Sequence, residues 1–365
     1  MAASGKKMNS HAEIELNRSH GGLAYRELAQ LGLSPDSVID FSVNSNPYGP
    51  CEAVISAVKA ARFDVYPDTN AEELKGAIHA NFKVAAESIL IGNGAADLLW
   101  ILATVLVQPK SSVLIVEPTF CEFRAACEHR GAMIHEWRSL PQTGFALDWL
   151  GLAAAIENTK AEVVYLCNPN SPTGVYLPIS EVIAFAESQP NRKLILDQAF
   201  LSLSYFFSDD RIDLPENVII LRSFTKEHAI AGLRLGYAVA TPELVRRCER
   251  ARPYWSINAL AQIAGIAACA HQDFVTQSRR QILGDQESMQ HALRQAGWHP
   301  LPSSTLYFLL PMRDATAMRQ RLLKHGIMTR SCASYGLPDY LRLAARPAHD
   351  VDRLIAALAL EAQRC

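Results

Sequence analysis

Five brief apolar runs, at residues 88–92, 112–116, 162–167, 193–196 and 218–221, constrain this chain's fold more than any other feature. Each is rich in Val, Ile and Leu, and each gives way to polar or turn residues. Asn93-Gly94 follows the first, Glu117-Pro118 the second, Asn168-Pro169 the third, Asp197 the fourth and Ser223 lies just past the fifth. Helical stretches, such as the apolar segment 95–107, separate them. Strands without polar alternation are buried on both faces, and strands that alternate with helices form a parallel sheet covered on both sides. The predicted fold class is therefore α/β with a mostly parallel central sheet. In such sheets binding groups gather beyond the carboxyl ends of the strands, so the residues just after each run are the first functional candidates.

The pattern changes after about residue 251. A long helical region spans 258–297, followed by an apolar strand at 306–310 and a helix over 315–325. Strands at 327–330 and 340–344 and an amphipathic helix from 350 complete the chain. This predicts a smaller C-terminal α/β domain. With 365 residues the chain is long enough for two or three folding units. The expected division is an N-terminal arm with part of the small domain at 1–45, a large domain at 46–250 and the small domain at 251–365. Residues 1–19 read as a flexible polar lead.

A net charge of −2 offers no attraction for nucleic acid or an anionic membrane. The apolar runs are strand-sized, too short to span a bilayer, and no apolar segment follows Lys6 and Lys7 to make a secretory signal. Eight cysteines without a CxxC pair read as reduced, mostly buried thiols, which predicts no structural metal and a cytoplasmic location.

The chemistry is concentrated in Ser223-Phe224-Thr225-Lys226, followed by Arg234 in a glycine-flanked turn. A lysine that attacks an aldehyde needs a lowered pKa. Two hydroxyls and a guanidinium nearby are anchors for a phosphate. Together they fit a phosphate-bearing aldehyde cofactor, pyridoxal 5′-phosphate. Further groups stand at the other strand ends. Gly94 and Ala95 lie in a strand-to-helix turn whose free N–H groups suit a phosphate, though alone it reads as an ordinary helix start. Asn170 sits in Asn168-Pro169-Asn170-Ser171-Pro172-Thr173-Gly174, a turn fixed by prolines and glycine. Asp197 could pair with a protonated ring nitrogen, or simply cap a turn. Phe120 could stack on a ring or belong to the core.

Taken together, the order and spacing of these motifs resemble the aspartate-aminotransferase superfamily of fold type I, from about residue 20 onward. The resemblance implies covalent cofactor attachment at Lys226, Asp197 on the pyridine nitrogen and Phe120 against the ring. It implies that Gly94, Ala95, Ser223 and Arg234 hold the cofactor phosphate with Thr225 nearby, and that Asn170 belongs to the cofactor site. It also implies a homodimer in which Tyr66, of Tyr66-Pro67-Asp68, reaches the neighbouring protomer's cofactor. Two departures stand out: Phe200 occupies a position where relatives commonly have tyrosine, and Ser171 one where they commonly have asparagine.

For the reaction, His20-Gly21-Gly22 and the segment from Asp40 to Pro50 resemble threonine-phosphate decarboxylases. Arg252-Pro253-Tyr254-Trp255-Ser256-Ile257-Asn258 and Phe200 point the same way. Histidinol-phosphate aminotransferases share Asn46-Pro47-Tyr48-Gly49-Pro50 and are the first alternative. A diverged enzyme for another phosphorylated or phosphonate amino acid and a catalytically silent relative are the others. In this group, Arg330 and Arg342 bind substrate anions, with His20 and Asn44 beside them. A buried strand arginine such as Arg342 requires an anionic partner. The expectation from sequence is a decarboxylase of O-phospho-L-threonine.

Overall fold

The computed structural model describes residues 20–208 and 214–362; the polar lead expected at 1–19 lies outside them. Twelve strands follow in chain order among these residues: β1 (Ile39–Asp40), β2 (Ile89–Gly92), β3 (Ser112–Glu117), β4 (Met133–Arg138), β5 (Val163–Cys167), β6 (Lys193–Asp197), β7 (Val218–Ser223), β8 (Gly236–Val239), β9 (Tyr307–Pro311), β10 (Ile327–Met328), β11 (Arg330–Ser331) and β12 (Tyr340–Ala344). Seven of them build the central sheet, in the order β2-β8-β7-β6-β5-β3-β4. All five expected strands are present in it. β3 through β7 run parallel to one another, whereas β8 is antiparallel to both β2 and β7.

The sheet is mostly parallel and covered by helices, as the apolar runs required. On one face Leu98, Leu102, Phe123 and Tyr165 form a fully buried cluster. On the other, Leu152, Ile156, Val182 and Leu196 do the same. A further group, including Leu74, Ile78, Phe224 and Leu235, packs beneath β2 and β8. β8 is not among the five expected strands, and neither is β4. β4 lies at the sheet edge, and its Met-Ile-His-Glu-Trp-Arg alternates between exposed and half-buried positions.

Toward the C-terminus, β11, β12 and β9 form an antiparallel sheet. It packs with Met289, Leu293, Leu322 and Leu354, and Phe41 from the start of the chain joins the same core. Two expectations change here. The strand at 327–330 is two short strands in different sheets, since β10 pairs in parallel with β1 while β11 pairs with β12. The long helical region is two helices, Ala259–Cys269 and Gln272–Gln295, interrupted at Ala270 and His271. Asn258 caps the first by accepting from the Ala261 N–H, which satisfies one of the donors a helix start leaves open.

Candidate active site

The strand order determines where the polar groups meet. The carboxyl ends of β2, β3, β5, β6 and β7 all open on one edge of the sheet. Because β8 runs the other way, its amino end reaches that edge too, with Gly236 opposite both Gly92 and Ser223. A cavity of about 210 Å³ lies there. His20, Asn44, Ala95, Phe120, Asp197, Ser223, Thr225, Lys226, Arg234 and Arg342 all line it, so ten of the sequence candidates are brought together. A larger cavity of about 490 Å³, lined by Phe82, Tyr176 and Pro242 among others, contains none of these groups.

Lys226 is placed by a short helix, Phe224–Glu227, directly after β7. Residues from near the start of the chain hold its backbone. The Asn46 N–H donates to the Lys226 carbonyl at 2.9 Å, the Asn46 side-chain amide donates to the Glu227 carbonyl at 3.0 Å, and Ser45 Oγ donates to the Thr225 carbonyl at 3.3 Å. The Lys226 ammonium stands 5.9 Å from the centre of the Phe200 ring. Burial, then the positive charges of Arg342 and Arg234, lower its pKa to about 8, against the opposing pull of Asp197. A substantial part of this amine is therefore neutral near physiological pH.

Asp197 ends β6 and is 3% exposed. Its carboxylate accepts from the Tyr165 hydroxyl at 2.8 Å and from the Ala199 N–H at 3.0 Å. Burial raises its pKa, opposed by those two hydrogen bonds and by Lys226. Tyr165 itself had not stood out in the sequence. The available signal was a hydroxyl-bearing aromatic in an otherwise aliphatic, fully buried strand, since such a hydroxyl needs a partner.

A second group forms an anion cradle. The helix Ala95–Leu106 begins at this edge with no side-chain cap on Gly94, leaving its first N–H groups and the positive end of the helix available. Ser223 Oγ and Thr225 Oγ1 lie 2.6 Å apart, and Arg234 is braced by donating to the Ala231 carbonyl at 3.0 Å. Packing is so close that a Cβ on Gly94 (φ +86°) would stand 2.5 Å from Arg234 Nη2. One on Gly236 would stand 2.9 Å from the Ala95 nitrogen. Backbone donors, hydroxyls and a guanidinium thus converge on one place with no room for further side chains. Such a cradle beside a lysine of lowered pKa fits a phosphate-bearing aldehyde.

Opposite Lys226 is Arg342, 5% exposed. Its guanidinium donates to Ser171 Oγ at 3.0 Å and to the Ser42 carbonyl at 2.7 Å, and it sits 5.5 Å from the Tyr307 ring centre. Its buried Nε has no hydrogen-bond partner, so donors remain for an incoming anion. Gly21 is required beside it, because a Cβ there would lie 2.2 Å from the Ser42 oxygen. Asn44 is 3% exposed, and neither polar atom of its amide has a partner. A buried amide on a cavity wall is costly unless a ligand satisfies it.

Four sequence candidates are placed differently. Asn170 is turned into its loop, where its amide donates to the Pro118 carbonyl and to Thr173 Oγ1, both at 2.9 Å. Ser171, not Asn170, reaches the cavity wall. Arg330 lies opposite Arg342 in the strand pair but does not line the cavity. It stacks 5.3 Å from the Tyr335 ring and donates to Ser334 Oγ, so Tyr335 stands between it and the space. Gly94 contributes backbone only. Tyr66 is 77% exposed, stacks on Trp255 with ring centres 4.5 Å apart and does not line the cavity.

The model of the family described as aminotransferase class I and II matches residues 36–358. The chain belongs to that family. Its members are fold type I pyridoxal-phosphate enzymes, and the cofactor expected from Lys226 is thereby established for this aminotransferase. A histidinol-phosphate aminotransferase from Symbiobacterium thermophilum is 32% identical, over 90% of this chain and 91% of that protein. The crystal structure of histidinol-phosphate aminotransferase from Sinorhizobium meliloti in complex with pyridoxal-5′-phosphate is similar at TM-score 0.83 and 25% identity, over 98% of this chain and 97% of that one. An L-threonine-O-3-phosphate decarboxylase from Porphyromonas gingivalis shares the fold at TM-score 0.77 and 23% identity, over 88% of this chain and 99% of that one.

These findings correct the reaction expected from sequence. Relatives at about 30% identity across nearly the full length are named histidinol-phosphate aminotransferase, which overturns the decarboxylase reading. The physical reason for the error is visible in the site. Gly21 is demanded by the Ser42 backbone packed against it and Gly22 by its φ of +118°, and Phe200 is a buried ring packed edge-on to Tyr307. Neither determines which bond of a substrate is broken.

Proposed function

We propose that this aminotransferase moves the amino group of L-histidinol phosphate to 2-oxoglutarate, giving the corresponding ketone and glutamate. The observation that carries the proposal is the pairing, across one cavity, of a lysine with a pKa near 8 and a buried arginine with donors to spare. The full-length relatives support the choice of substrate. Pyridoxal phosphate, when bound, supplies an aldehyde carbon that takes up and surrenders the amino group and a ring that draws electrons toward itself.

The chain's own groups divide the remaining work. Lys226 Nζ, as a neutral amine, would hold the cofactor's aldehyde carbon and would move the proton between substrate and cofactor. Its lowered pKa suits both roles. Asp197, held as a carboxylate by Tyr165 and Ala199, keeps a proton on the ring nitrogen. Phe120 covers the ring. Ala95, the turn at Gly94, Ser223, Thr225 and Arg234 bind the cofactor phosphate. Arg342 takes the carboxylate of the second substrate through two parallel N–H donors. His20 and Asn44 bind the substrate phosphate, with Arg330 contributing through Tyr335. Asn170 shapes the loop that presents Ser171.

The same reading makes the enzyme a homodimer in which Tyr66 serves the neighbouring site. Phe63, Tyr66, Tyr254 and Trp255 are all exposed large hydrophobics, a set that normally marks an interface. It also puts the enzyme in the cytoplasm, where thiols not joined in disulfides remain reduced. Among the described residues no helix is long and apolar enough to cross a membrane.

The test is incubation of the pyridoxal-phosphate-loaded protein with histidinol phosphate and 2-oxoglutarate. Glutamate should form in equimolar amount with the consumed substrate. Cofactor-loaded protein that forms no glutamate would refute the proposal.

A further inference from the structure

At the rim of the cavity, His20, which lines it, meets two side chains with metal-binding atoms that do not. The His20 imidazole, the Cys121 thiol and the Glu122 carboxylate place their ligand atoms within 4.8 Å of one another. His20 Nε2 is already 3.2 Å from Glu122 Oε1. In tetrahedral zinc sites the metal lies about 2.0–2.3 Å from such atoms, which sets neighbouring ligands roughly 3.5 Å apart. Small side-chain rotations would therefore close the trio on a cation. The other Glu122 oxygen accepts from Trp100 Nε1 at 2.9 Å, the kind of outer contact that orients a ligating carboxylate. Arg124, two residues after Glu122, has its charge engaged by Glu117 at 3.0 Å and by Glu136 at 2.7 Å.

We propose that His20, Cys121 and Glu122 form a site for Zn²⁺, or a transition-metal cation of like preference, and that the bound metal staples the cavity mouth. The donor set suits zinc: one imidazole, one thiolate and one carboxylate, with a fourth position open. Binding releases the thiol proton, so thiolate and carboxylate together balance the metal's charge. The stapling follows from where the ligands are anchored. Cys121 and Glu122 open the helix Glu122–His129 after β3 of the central sheet. His20 precedes Gly21 and Gly22, which are fixed on Ser42 beside β1, and β1 belongs with β10 near the C-terminal sheet. A metal shared between them ties the two sides of the cavity together over Phe120, whose ring is 5.4 Å from that of His20. Zinc is thereby a reversible inhibitor of substrate entry.

The experiment uses chelator-treated, cofactor-loaded protein and no substrate in its first stage. Titration with Zn²⁺ by calorimetry should give one site per chain. Co²⁺ should show intense tetrahedral ligand-field bands with a thiolate charge-transfer band. Cys121→Ser should lose the thiolate band and at least tenfold in Zn²⁺ affinity, since even outer contacts cost about that much. Glu122→Gln should weaken Zn²⁺ binding in the same direction. In the second stage, Zn²⁺ should inhibit amino-group transfer by the wild type and not by Cys121→Ser, whose activity without metal is unchanged, and a chelator should restore it. Equal Zn²⁺ affinity in Cys121→Ser, or an octahedral Co²⁺ spectrum, overturns the site. Binding without inhibition overturns the staple. Because metal binding is read without substrate, a protein that binds zinc but transfers no amino group would sink the proposed function and leave this site standing.

Discussion

Tyr165→Phe isolates the support of Asp197 and can be worked through from the structure. The substitution removes one oxygen from a fully buried strand and leaves the ring in place, so no large cavity forms. What is lost is the 2.8 Å hydrogen bond to Asp197, leaving that carboxylate the one from the Ala199 N–H. A hydrogen bond to a charged group contributes about 1.5–3 kcal/mol. In the cofactor-free protein Asp197 can avoid much of that loss by taking up a proton, because burial already raises its pKa. Cofactor binding requires the carboxylate, so it bears the cost. At about 1.4 kcal/mol per tenfold change, pyridoxal phosphate should bind roughly tenfold to a hundredfold more weakly. Equilibrium dialysis against the free cofactor measures this directly. A pH series adds a sign. Since the folded pKa of Asp197 lies above that of a free aspartate, its ionisation opposes folding, and the cofactor-free protein loses stability as pH rises from the unfolded value through the folded one. The phenylalanine variant should lose more over that window and least below it. An unchanged dissociation constant, or a stability loss that does not grow with pH, would refute the role given to Tyr165.

Four other outcomes are expected. Lys226→Ala should abolish the absorption band of covalently attached cofactor and all amino-group transfer; a persisting band in the spectrum would mean that another amine is the attachment point. Gly94→Val should weaken cofactor binding by at least tenfold by dialysis, because its Cβ would meet Arg234 at 2.5 Å and its φ of +86° strains any branched residue. The rate of cofactor attachment to the apo-protein, followed by stopped-flow absorbance, should rise with pH and level off above about 8, as the neutral Lys226 amine is the nucleophile. A rate independent of pH across that value would contradict the assignment. Phe200→Tyr should add a hydroxyl donor to a ring whose centre stands 5.9 Å from the Lys226 ammonium, and lower the midpoint of the bound cofactor's absorbance titration; a midpoint that stays put would show that the ring faces another part of the cofactor.

The sequence carried the central sheet and the cofactor because both depend on local signals. Apolar runs closed by Asn93-Gly94, Pro118, Pro169 and Asp197 announce strands and their ends, and the residues after those ends are where the site lies. What stayed hidden depends on contacts made across the fold. β4 mixes polar and apolar residues and lies partly exposed at the sheet edge, so it makes no apolar run. Tyr165 looks like any core aromatic until Asp197 on the neighbouring strand is known to accept its hydroxyl. Asn170 and Ser171 are adjacent in one loop, and only the closed loop shows which of them faces the cavity. The cluster of His20 with Cys121 and Glu122 joins residues about a hundred positions apart. Substrate choice was the least legible, since Gly21 and Gly22 are required by the backbone whatever the reaction.

The reversed strand β8 has a consequence for how the enzyme matures. It fills the gap between β2 and β7, and Gly236 at its start rests on Gly94 and Ala95, more than a hundred residues earlier in the chain. Until that strand is inserted, Arg234 has no position and the cradle has only one wall. The nascent chain therefore cannot capture its cofactor piecemeal. Such long-range closure comes late in folding, and the cofactor, binding only the finished sheet, acts as a lock that holds the last strand in place.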